Sequence, residues 1–218
     1  MSKIARPFAA SRRFLLLLPL LLLPLLLAAS ALPAAAAVSA PDKADIARVE
    51  TYLNSIHSLT AKFLQVAPDG SLSEGKAYMR RPGRMRFEYD DPVPVLLVAD
   101  GVWMVFHDRK LKQTTRVPLG SSPLSVLLRD KIQLGGAVTV KSVNRGPGTL
   151  RLVLFDSDKP KEGDLTLVFG DQPLTLRQWV VTDAQGQATT VSLSQVETNM
   201  YLQPTLFIFR DPEPRERN

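Results

Sequence analysis

Cysteine is absent from all 218 residues. No disulfide framework is available, so packing alone must stabilise the fold, and no cysteine exists to carry a lipid at a processing site. Histidine is nearly absent: His57 and His107 are the only two, with no metal-ligand spacing, so no metal site is expected. The chain has no G-x-S-x-G elbow, no phosphate-binding loop and no dinucleotide fingerprint. Its Asp90-Asp91 pair precedes Pro92, a setting in which turns favour aspartate anyway. His107-Asp108 resembles a base and its orienter, but no motif ties a nucleophile to it. These absences point away from an enzyme and from any cofactor.

Acidic residues are missing from the first 40 positions, which hold Lys3, Arg6, Arg12 and Arg13. The formal charge of +6 less those four cations leaves +2 for the remainder. Nucleic-acid binding thereby loses its electrostatic support. The basic start, the run Leu15 to Leu27 and the small residues that follow read as a signal peptide spanning 1–40. Candidate cuts lie after Ala37 and after Ala40. Residues 41–218 are then one mature domain in a bacterial periplasm, with a loose tail at 211–218 that contains two prolines.

The mature chain opens with an amphipathic helix over Asp42 to Ile56, its apolar face carrying Ile46, Val49, Leu53 and Ile56 and its cap assigned to Asp42 or Asp45. Strands follow at Ser58–Val66, Glu74–Arg81, Arg84–Asp90, Val95–Ala99, Val102–His107 and Lys110–Val117. Arg84-Met85-Arg86-Phe87-Glu88-Tyr89-Asp90 alternates without a break, so Met85, Phe87 and Tyr89 share one apolar face. Carried back through the turn, the same parity adds Ala77, Met79 and Arg81. An arginine beside an apolar face either pairs with a carboxylate, snorkels to water, or latches something laid over the face. Ser122 and Pro123 start a short helix to about Asp130, apolar nearly all round at Leu124, Val126, Leu127 and Leu128. It is either a plug of the core or a lid. Five more strands between Val138 and Glu197, and a late one at Leu206–Phe209, complete an antiparallel sheet curled toward a barrel or sandwich.

The ordered set Gly75-x-x-x-x-Arg80-Arg81-Pro82, Arg86-Phe87-Glu88-Tyr89, Val98-Ala99-Asp100-Gly101, Met104-Val105-Phe106 and Leu111-x-Gln113-x-Thr115 resembles the LolA family of periplasmic lipoprotein carriers, more weakly over most of 43–210. The resemblance implies a mainly β (α+β) fold: a strongly curved, half-open antiparallel β-barrel with helices forming a lid on the concave side. It implies a cavity for acyl chains drawn from Met79, Met85, Phe87, Leu97, Trp103, Met104 and Phe106. Leu124, Leu127 and Leu128 would form the lid helix, and Arg81, the arginine before the family's proline, its latch. Met85 stands where the family usually has a larger apolar or aromatic residue, and the C-terminal segment is short against the family.

The implied function is that of a monomeric periplasmic chaperone moving acylated lipoproteins from an inner-membrane lipoprotein-releasing ABC transporter toward the outer membrane, with or without a receptor there. Two alternatives stand beside it: an RseB-like sensor of envelope stress, which usually carries a second domain, and a carrier of free lipid.

Overall fold

Cross-strand rows of apolar side chains organise the molecule. Leu59, Met79, Met85, Ala99 and Met104 lie opposite one another on five successive strands, and all five are buried. Beside them runs a second row: Ala61, Ala77, Phe87, Leu97 and Phe106. These rows belong to a computed structural model that describes residues 39–211. The expected leader therefore lies outside the described residues but for Ser39 and Ala40, and so does the tail beyond Asp211.

Eleven antiparallel strands form one sheet in the order β6-β5-β4-β3-β2-β1-β11-β10-β9-β8-β7. They are β1 Ser58–Val66, β2 Leu72–Arg80, β3 Arg84–Tyr89, β4 Val95–Asp100, β5 Trp103–Asp108, β6 Gln113–Pro118, β7 Val138–Gly146, β8 Thr149–Asp156, β9 Asp164–Asp171, β10 Leu174–Thr182 and β11 Ala188–Thr198. β6 and β7 do not pair, so the sheet stays open.

The rings of Phe87 on β3 and Trp179 on β10 show how far the sheet bends. Four strand-to-strand steps separate them, roughly 19 Å along a flat sheet. Their centroids are 6.2 Å apart, edge to face. Only a sheet folded back on itself brings them together, which makes this the half-open, curved barrel. Gly75 helps the bend close: a Cβ there would lie 2.0 Å from the Glu88 carbonyl oxygen and 2.9 Å from the Phe63 ring.

Helix α1, Ala40–Ser55, lies on the inner face and buries Val49 and Leu53. Its N-cap is Ser39, whose hydroxyl accepts from Asp42 N–H, so neither Asp42 nor Asp45 caps it. Asp45 instead pairs with Arg48 and Arg145. The second helical element is a 3-10 helix, Pro123–Leu128, and not an α-helix reaching Asp130. Bonds of i→i+3 type from Ser125 N–H to Ser122 O and from Arg129 N–H to Val126 O define it.

Leu206–Phe209 is not a strand. Pro204–Phe207 forms a 3-10 turn within a C-terminal strap, residues 199–211, that crosses the outer face. Arginine side chains take its carbonyls: Arg80 donates to Leu202 O at 3.0 Å and Arg86 to Leu206 O at 3.2 Å. Among the described residues no helix is long and apolar enough to cross a membrane.

Candidate lipid-binding cavity

The inner rows do not close on themselves completely. Met85, Phe87, Leu97, Met104 and Phe106 on one wall face Trp179, Val181 and Val191 on the other, around a cavity of about 230 Å³. Leu124 of the 3-10 helix caps it. Tyr89 and Gln65 supply the polar end, the Tyr89 hydroxyl donating to Gln65 Oε1 at 2.8 Å. Burial pushes the Tyr89 phenol above its ordinary value, against the opposing pull of that bond.

Four expected members stand elsewhere or act differently. Trp103 is 44% exposed and lines none of this cavity. Its neighbours Met104 and Phe106 take the inward parity on β5, which turns Trp103 to the outer side. Met79 is buried on the inner face but not at the cavity wall. Leu127 and Leu128 are buried in the common core, leaving Leu124 as the part of the helix that meets the open space. Trp179, Val181 and Val191 complete the wall from strands more than 70 residues downstream of Phe106. Their alternation marked them as sheet, but nothing local in the sequence shows that they face Phe87.

Arg81 occupies the junction of the helical elements. Its Nε donates to Ile56 O at 2.8 Å, and its Nη2 is directed to Leu53 O and Ile56 O. Its Nη1 reaches Arg129 O, just past the 3-10 helix, at 3.4 Å. The stronger grip is therefore on the C-terminal end of α1, and the link to 123–128 is the longer bond. This placement has a physical reason. The last turn of α1 holds no basic residue, so its orphan carbonyls and negative dipole end draw a cation from elsewhere in the chain. Partial burial lowers the Arg81 guanidinium from its ordinary value and Asp130 offsets this; the group stays charged.

Other polar contacts bind α1 to the segment after the 3-10 helix. Asn54 donates to Ile132 O at 2.8 Å and accepts from Ile132 N–H at 3.0 Å. Glu50 accepts from Leu134 N–H at 2.7 Å. The 3-10 helix is tied to the sheet by Gly83 N–H donating to Leu128 O at 2.8 Å. Arg129 pairs with Asp156, and Lys159 donates to Gly120 O at 2.6 Å. The two inner helices are thus held by a few hydrogen bonds and ion pairs at their ends, and of the two the 3-10 helix is the one that reaches the cavity.

Larger hollows, of about 630 and 410 Å³, flank the strap on the outer face. Arg86, Arg109 and Arg210 stand among their walls beside Leu96 and Phe209. His107 is buried beneath the strap. Its Nδ1 lies 3.0 Å from Thr114 Oγ1 and its ring against Phe209. Asp108, meanwhile, accepts from Lys110 and Leu111 N–H groups, so the two do not form a base and orienter. Among the described residues no group of three or more potential ligands is placed to hold a metal ion.

The family model of the outer membrane lipoprotein carrier protein LolA matches residues 54–210. Curated proteins named outer-membrane lipoprotein carrier protein match along most of their length. The relative from Pseudomonas aeruginosa is 33% identical over 194 residues, 82% of this chain and 89% of its own. That from Legionella pneumophila is 31% identical over 173 residues, 76% and 85% of the two chains. That from Chromobacterium violaceum is 28% identical over 187 residues, 82% and 90%.

Proposed function

The chain belongs to the LolA family of outer membrane lipoprotein carrier proteins, and from that premise we propose that its inner face binds the acyl chains of lipoproteins and carries them across the periplasm. The observation that supports this most directly is the cavity of about 230 Å³ with apolar walls from both halves of the sheet and a helix for a cap.

Its size sets the mechanism. At about 30 Å³ for a group the size of a water, it takes roughly eight methylenes. That is less than one long acyl chain. To hold a whole chain, cargo displaces Leu124 from the cavity and, on this proposal, α1 from the rest of the inner face, and the surface they vacate becomes the binding surface. A buried CH₂ contributes about 0.8 kcal/mol to holding an acyl chain in an apolar phase. The closed helices compete for the same surface, so they reduce the net affinity and keep release possible. Arg81 acts as the latch of the closed state, through the carbonyls at the end of α1.

On this reading the cargo is handed over by an inner-membrane lipoprotein-releasing ABC transporter and delivered to a receptor or directly to the outer membrane. The leader is removed after Ala37. That cut preserves Ser39, the N-cap of α1, whereas a cut after Ala40 removes it.

Trp179 provides the test. A synthetic triacylated lipopeptide with brominated chains, added to the Trp103→Phe variant, brings bromine within contact of the remaining tryptophan. Quenching that saturates with lipopeptide is expected. Unquenched Trp179 fluorescence at concentrations where the lipopeptide co-elutes with the protein would place the ligand elsewhere and defeat the proposal.

A further inference from the structure

Arg80 and Arg81 are consecutive and leave the end of β2 on opposite sides. Arg81 holds the end of α1 inside the barrel. Arg80 donates to Leu202 O at 3.0 Å and stacks over the Phe207 ring, 5.6 Å from its centroid, in the strap outside. Leu202 and Phe207 are the strap's buried anchors.

Asn199 joins these two systems. It stands at the first position of the strap in a left-handed conformation, φ 60°, which asparagine tolerates better than most residues. Its Oδ1 accepts from His57 N–H at 2.8 Å, and its Nδ2 donates to Ser55 O at 3.0 Å. Its own N–H donates to Ser58 O at 2.9 Å. The Ser58 hydroxyl in turn donates to Met200 O at 2.6 Å. Ser55 ends α1 and Ser58 begins β1. The asparagine side chain thus spans the two-residue joint about which α1 must swing to leave the inner face. Arg81 grips the same joint from within, its backbone N–H donating to His57 O at 2.9 Å.

We propose that Asn199 is a positioning residue of the gate, and that it couples displacement of α1 by cargo to loosening of the C-terminal strap on the outer face. The inference rests on the carrier reading, because it takes α1 to be what acyl chains displace. Rotation at Ser55–His57 pulls Ser55 O and His57 N–H apart and breaks at least one of the two Asn199 bonds. The strap then keeps Leu202 and Phe207 in place, but its start is held only by the Asn199 N–H bond to Ser58 O and the Ser58 hydroxyl bond to Met200 O. A loaded carrier consequently presents a different outer surface from an empty one, at Met200, Tyr201 and Ile208, all of them exposed.

Amide hydrogen exchange on the full mature chain, with and without a synthetic triacylated lipopeptide, separates the possibilities. In the wild type, lipopeptide should raise exchange at residues 53–57 and, together with it, at the hydrogen-bonded strap amides of Asn199, Leu206 and Ile208, by about tenfold or more. Asn199→Gly keeps the left-handed backbone and removes both side-chain bonds. It should show fast exchange at positions 199, 206 and 208 from the start, with little further change on binding, while Trp179 quenching persists. Asn199→Asp, which keeps the bond from His57 N–H and loses the one to Ser55 O, gives an intermediate response and serves if the glycine variant does not fold. If residues 53–57 respond to lipopeptide in the wild type and 199, 206 and 208 do not, the coupling is refuted and the carrier reading stands. If the lipopeptide neither quenches Trp179 nor alters exchange at 53–57, the carrier reading fails and the coupling falls with it.

Discussion

Arg81 shows how one side chain can hold a conformation that the helix it serves cannot hold alone. The end of α1 has no cation of its own, and a guanidinium from 25 residues away supplies it. Arg81→Leu leaves the carbonyls of Leu53 and Ile56 without that donor and should cost about 1–3 kcal/mol of stability. Urea denaturation measures this. Arg81→Lys should recover only part of it, because an ammonium cannot reproduce the planar fork. Equal urea midpoints for wild type and Arg81→Leu would show that water replaces the guanidinium without loss.

Tyr89 gives a second prediction at this scale. Its folded value is raised, so it contributes stability that is complete below the ordinary tyrosine value and is lost as pH rises through the folded one. Tyr89 should ionise above the ordinary tyrosine value, as followed by ultraviolet absorbance. Tyr89→Phe should remove that high-pH ionisation and flatten the alkaline loss of stability.

Elements were legible where period and turn chemistry agreed. Met85, Phe87 and Tyr89 alternate, and β3 runs with their parity facing in. The bounds of β1 and β10 follow directly from their apolar runs and flanking turns. Trp103 escaped because the Asp100-Gly101 turn sets the parity of β5, and a shift of one residue there exchanges the faces. The apolar Leu206–Phe209 reads as a strand because nothing nearby reveals that Arg86 takes the Leu206 carbonyl, as Arg80 takes that of Leu202, from the outer face. The partners of Arg81 were hidden for the same reason: they are backbone carbonyls, which every residue has.

The cap of α1 carries the prediction proper to this scale. Ser39→Ala should cost about 1 kcal/mol, readable as a fall in thermal midpoint. The mass of the secreted wild-type protein should correspond to a chain beginning at Val38. A chain beginning at Pro41 would show that the cell discards the serine cap.

For the whole molecule, stability and affinity should trade against each other. Asn54 ties α1 to the segment after the 3-10 helix through two hydrogen bonds. Asn54→Ala removes both and should weaken the empty, closed state by about 1–2 kcal/mol. Because that state competes with ligand, lipopeptide should then bind about fivefold or more tightly, measured by Trp179 quenching. A variant that loses stability without gaining affinity would mean that the helices do not compete with cargo. The family-level reading came from an ordered set of short motifs spread over the sheet. The curvature that turns their apolar rows into a cavity became visible only when Phe87 and Trp179 were seen in contact.

The missing bond between β6 and β7 has a geometric consequence for such a carrier. A closed cylinder admits a fatty tail only end first, as a needle takes thread. This wall has a lengthwise seam, with no hydrogen-bonded ladder between β6 and β7. Through a seam, several tails fixed to one bulky head can slip in sideways at the same time, while the head stays in water and never has to pass the rim.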